Sequence, residues 1–159
     1  VESFQPTRRS KLLINRNVNT GSEQVQTFKK KLAQLIYPDD MRDFSSDNFT
    51  LATKTLQTSK TILKDEESLI DIALFFVECG TQFLVDLGEI DEDFCVEIED
   101  IFEDIVNHIK DCDTVVFEKY KERLYRINEM AHDSAYGHGD QIRDVLDENF
   151  PGFVESHTY

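Results

Sequence analysis

Glu129, His132, His138 and Asp140 are residue types that metal ions select, and the first two fall at a suggestive spacing. Glu129-x-x-His132 puts a carboxylate and an imidazole on one helical face, as carboxylate-bridged metal sites require. A dinuclear centre also needs a second Glu-x-x-His and two further acids. Asp104-x-x-x-His108 has the wrong step for the former; Glu78, the sole acid between Ile72 and Cys79, is a candidate for the latter. A single zinc or manganese ion held by Glu129, His132, His138 and Asp140 asks for less. The plainer reading has His132 and His138 capping helix ends around the turn Gly137-His138-Gly139, with no cofactor, and this is the expectation carried forward.

Other chemistries lack their parts. No Ser or Cys follows a predicted strand in a nucleophile elbow, and the glycine turn is not a phosphate loop. The acids from Glu89 to Asp104 lie on one predicted helix, whereas a calcium loop alternates oxygen ligands around a central glycine. A non-enzymatic role is therefore expected.

Those acids suggest what the role is. Nine carboxylates in 16 residues, with no base among them, form a dense negative run. Glu97, Glu99, Asp100, Glu103 and Asp104 fall away from the apolar stripe of their helix. Such a face steers a basic protein partner or imitates a phosphate backbone, beside the ordinary reading of a solvated surface. A protein-interaction module is the leading expectation and the metal-binding protein its alternative. The net charge of −15 argues against direct nucleic-acid or anionic-membrane binding. It is unevenly spread: residues 1–64 carry +5 and residues 65–159 carry −20.

The elements that must position these groups are helical. Residues 65–110 read as two antiparallel helices joined by a short turn. Leu69, Ile72, Ala73, Phe76, Gly80, Phe83, Leu84 and Leu87 mark one stripe; Phe94, Cys95, Ile98, Ile101, Phe102, Ile105, Val106 and Ile109 mark the other. Gly88 and Asp91 are the expected stop and restart. Leu74, Phe75 and Val77 widen the first stripe, so that helix is buried on two sides, by internal neighbours or by a homodimer partner. Ser22 caps a helix carrying Val25, Phe28, Leu32, Leu35 and Ile36, with Lys29, Lys30 and Lys31 on its solvent side or flanking its apolar stripe. A helix from Ser46 or Asp47 turns Phe49, Ala52, Leu56, Ser59, Ile62 and Leu63 inward. One beginning at Asp113 or Thr114 buries Val116, Phe117, Tyr120, Leu124, Ile127 and Met130, with Arg123 outside. The last helix runs from about Asp140 to Asn149, leaving a frayed tail.

The sum is an all-α, single-domain bundle of about six helices: residues 22–159, preceded by a partly ordered basic segment, 1–21, holding Arg8, Arg9, Lys11 and the apolar run Leu12 to Ile14. Three cysteines, an odd number, fit reduced thiols and a cytoplasmic location. No apolar run approaches the roughly 20 residues that cross a bilayer, and no secretory signal precedes one.

Two segments, LIDIALFFVECGTQFLVDLGEIDEDFCVEIEDIFEDIVNHI (69–109) and YGHGDQIRDVLDENF (136–150), carry a family resemblance. Over about residues 66–150 the chain resembles a bacterial family of small all-helical proteins of unknown function. The first segment is similar to the family's helix–turn–helix, the second to its closing aromatic-Gly-x-x-Asp motif. There relatives place His directly before the Asp; here Gly139 holds that place and His138 stands one residue earlier. The resemblance implies an all-helical cytoplasmic domain and no particular activity.

Overall fold

The computed structural model describes residues 14, 17–38, 45, 47–87, 92–133 and 138–156, and among the described residues from Glu23 onward apolar steps of three and four become seven helices. They are α1 (Glu23–Ile36), α2 (Asp47–Ile62), α3 (Glu66–Leu87), α4 (Glu92–Asp111), α5 (Thr114–His132), α6 (His138–Asn149) and α7 (Phe153–Ser156). Among the described residues there is no strand, and the chain is a single-domain all-α bundle. Arg8, Arg9, Lys11, Leu12, Leu13, Ser46, Gly88, Asp91, Tyr136 and Gly137 lie outside the described residues.

Helix α3 is the axis. Every residue from Ile72 to Leu84 is buried, because α1, α2, α4 and α5 all pack on it. Phe75 and Val77 are fully enclosed by the chain itself, so they need no second copy to cover them. By length and composition Glu66–Asp86 is apolar enough to cross a membrane, contrary to the sequence expectation, but 78% of its most apolar stretch is covered inside the bundle. On one side of α3, Phe49 of α2 stacks on Phe94 of α4 at 3.6 Å, with Phe83 edge-on to both. Such ring pairs add to the burial energy of the rings themselves.

The local signals hold with shifts at the ends. Ser22 caps α1 by accepting the Val25 N–H at 3.3 Å. Ile62, expected inside, is 48% exposed, and the next residue, Leu63, takes the buried place. The tail expected to fray forms α7 over Phe153–Ser156, because Phe117 stacks on Phe150 and meets Phe153 edge-on.

Helix α6 begins at His138, two residues earlier than its spacing suggests, and Gly139 is the reason it can sit where it does. A Cβ there would lie 2.6 Å from the Ala131 carbonyl oxygen and 3.0 Å from the His132 Cα. Both obstacles are backbone at the end of α5, so neither can rotate away. Gly139→Ala should therefore destabilise the fold by about 1–3 kcal/mol, the range of forced overpacking, despite alanine's better helix propensity. Chemical denaturation gives the check; an unchanged midpoint would contradict this contact.

Candidate metal centre

The start of α6 and the first turns of α4 bring three donor atoms together. Cys95 and Glu99 stand four residues apart on α4, so they share a face one turn apart. His138 reaches them from the first position of α6. Its Nδ1 lies 3.4 Å from the Cys95 Sγ and 3.9 Å from a Glu99 carboxylate oxygen, and that oxygen is 3.8 Å from the same sulfur. From α3, the Thr81 hydroxyl lies 3.2 Å from the other imidazole nitrogen, Nε2. With the Nε2–H donated to Thr81, the Nδ1 lone pair faces Cys95 and Glu99. A hydrogen bond to the far nitrogen is how proteins fix the tautomer and aim of a ligating histidine.

The surroundings hold the imidazole and the thiol neutral. Burial pulls His138 down to about 4, so its imidazole is uncharged at neutral pH. Burial, then the Glu99 charge, pushes the Cys95 thiol up to about 12. Burial also raises Glu99, aided by Asp100 and opposed by its bond to Cys95. These shifts speak against a thiolate–imidazolium nucleophile, which needs a readily ionised sulfur and a base that takes its proton. A divalent cation reverses the balance: it would draw off the thiol proton and turn the same three groups into good ligands.

Only His138 of the sequence-predicted metal set belongs to this cluster. Asp140 lies two residues on, roughly 200° around α6, where it is exposed and pairs with Arg143. His132 is exposed at the end of α5, and Glu129 is half-buried in that helix. Among the described residues, Cys95/Glu99/His138 and a second group, Glu66/His108/Cys112, have donor atoms mutually within 4.8 Å. Neither includes Glu129, His132 or Asp140. The expectation of no cofactor is overturned by these clusters, since buried Cys95 and His138 and partly buried Glu99 bring donor atoms close enough together to hold an ion.

The acidic residues of α4 divide. Glu97 turns toward α2, where it accepts the Thr53 hydroxyl at 2.6 Å, and Glu99 turns toward α6. Asp100, Glu103 and Asp104 face solvent. The split follows from the helix angle: Glu97 and Glu99 flank the buried stripe of Phe94, Ile98 and Phe102 on opposite sides.

Three charged residues unrelated to the metal question also lie inside. Lys29, expected on the solvent side of α1 or flanking its apolar stripe, is fully buried and pairs with Asp71 at 2.6 Å while donating to the Asn17 and Thr20 carbonyls. Arg123, expected outside, bridges Asp71 and Glu78. Glu78, a candidate ligand by sequence, is thus committed to Arg123 and to the Asn17 amide. Cys79 is inert, its thiol pushed well up by burial and then by Glu78.

An all-helical bundle with a buried Cys–Glu–His cluster is what the fold and site define. No family model, no curated protein and no solved structure matches the chain.

Proposed function

We propose that this protein binds one borderline divalent transition ion, zinc foremost, between α4 and α6 through Cys95, Glu99 and His138. The spacing of the donor atoms carries the reading. Zinc bond lengths of about 2.3 Å to sulfur and 2.0–2.1 Å to nitrogen or oxygen, at tetrahedral angles, put ligand atoms about 3.3–3.6 Å apart. The two sides that include sulfur, 3.4 and 3.8 Å, lie within a few tenths of an ångström of that figure, and the nitrogen–oxygen side, 3.9 Å, closes by about half an ångström on binding.

The donor chemistry favours the same ions. A thiolate and an imidazole suit zinc and its neighbours and disfavour magnesium or calcium, which take oxygen cages. Three protein ligands leave a fourth position, toward the partly exposed side of Glu99, for water or an incoming group. Bound there, the ion ties α6 to α4, and its charge answers those of the thiolate and the carboxylate.

The test is zinc binding to reduced, chelator-stripped protein. One tight equivalent should bind and raise Tm. Because His138 is already neutral and the thiol still holds its proton, binding should release one proton and tighten about tenfold per pH unit between pH 6 and 8. Absence of tight binding would refute the proposal, and pH-independent binding would move the ion away from Cys95.

A further inference from the structure

We propose that Glu66, His108 and Cys112 form a second, solvent-facing and readily exchanging site for the same class of cation, a borderline divalent transition ion. The assignment rests on other residues than the buried centre and stands or falls without it.

The antiparallel hairpin makes the corner. The first residue of α3, Glu66, lies beside the last turn of α4, where His108 projects, and Cys112 follows one turn later. His108 and Cys112 are four residues apart, so chain that continues the helical path stacks their side chains on one side. The His108 Nε2 lies 3.3 Å from a Glu66 carboxylate oxygen, and the Cys112 Sγ completes a triangle whose donor atoms are all within 4.8 Å. This is wider than a filled site needs, but Glu66 and His108 are each about half exposed and free to rotate inward. An imidazole, a thiol and a carboxylate are the donor set of zinc-like ions and a poor one for magnesium or calcium. Asp111 and Asp113, exposed on either side of Cys112, raise the local cation concentration.

The two sites are independent. From Cys95 to His108 along α4 is about 20 Å at a rise of about 1.5 Å per residue, so one ion cannot bridge them. Their environments also differ: His138 and Cys95 of the inner cluster are buried, whereas Glu66 and His108 at the corner are each about half exposed and lose side-chain freedom on closing round an ion. The outer site is therefore the weaker and the faster to exchange.

Titration of the reduced protein with cobalt(II), read by the thiolate-to-metal absorption, tests this. Wild type should take two equivalents in a tight and a weak phase. Cys112→Ser, at a half-buried position, and His108→Ala, at the surface, should each remove the weak phase and leave the tight one. Cys95→Ser should do the reverse. A wild type without the weak phase, or a weak phase that survives both outer substitutions, would overturn the proposal. A missing tight phase would count against the buried centre alone.

Discussion

Cys95→Ser is expected to lower zinc affinity at the buried centre by about 100-fold or more while the helices stay folded. Losing even an outer partner of a ligand costs about 10–100-fold, and here the sulfur bound to the ion would itself be lost. Serine nearly reproduces the shape of the thiol, and its hydroxyl can still bond His138 or Glu99, so the apo fold should change little. In a Cys112→Ser background, competition against a chromophoric chelator reads this centre alone. Circular dichroism and the melting midpoint without metal check the fold. Wild-type affinity in the double variant would place the tightly held ion elsewhere.

The reason for that size of effect lies in how the site is built. Thr81 of α3, Cys95 and Glu99 of α4 and His138 of α6 are positioned by the apolar packing around them, not by a loop. Ile98 and Phe102 are fully buried on the same stretch of α4, so rotating that helix to spare the ligands would expose the core. Gly139 adds the remaining constraint, because its lack of a side chain lets α6 start against the end of α5 with His138 turned inward.

The helices could be read from the chain because their cause is local. Stripes of Phe, Ile and Leu every three or four residues give α3 and α4 directly, and a serine oxygen ahead of Glu23 gives the start of α1. The Cys95–Glu99–His138 cluster could not be read in the same way. His138 meets a sulfur 43 residues earlier, and spacing within one segment finds only ligands that share a helix. The Glu129-x-x-His132 pattern has the right step but joins no donor cluster among the described residues. A partial signal was present in Cys95-x-x-x-Glu99, a thiol and an acid one turn apart beside an apolar stripe.

Lys29 had a clearer one. It continues the series Val25, Leu32, Ile36 at helical spacing, so the stripe itself marked it as internal, although it sits among three consecutive lysines. What the sequence lacked was its partner, since Asp71 arrives from another helix. Charge alone misleads here for a physical reason: a buried ion pair looks in sequence like two surface residues until the fold brings them together. The acidic face of α4 shows the converse, because two of its five named acids have partners on other helices and three face water.

The second large effect is expected at Arg123. Its guanidinium donates to both Glu78 oxygens, at 2.6 and 3.3 Å, to an Asp71 carboxylate oxygen and to the Asp71 carbonyl. Burial works against that charge, but Glu78 and Asp71 outweigh it and hold the guanidinium above its ordinary range. Arg123→Met keeps most of the side-chain volume and removes the cation, leaving Glu78, at 2% exposure, with the Asn17 amide as its hydrogen-bond partner among the described residues and Lys29 as the nearby cation. Stranding a buried charge costs about 3–5 kcal/mol, which for a domain of this size lowers Tm by on the order of 10 °C.

Glu78→Gln in the Arg123→Met protein should return at least half of the loss, because the neutral amide no longer needs a counter-ion while still accepting from Asn17. A loss below about 1 kcal/mol, with no rescue, would mean that these groups behave as a solvated surface pair.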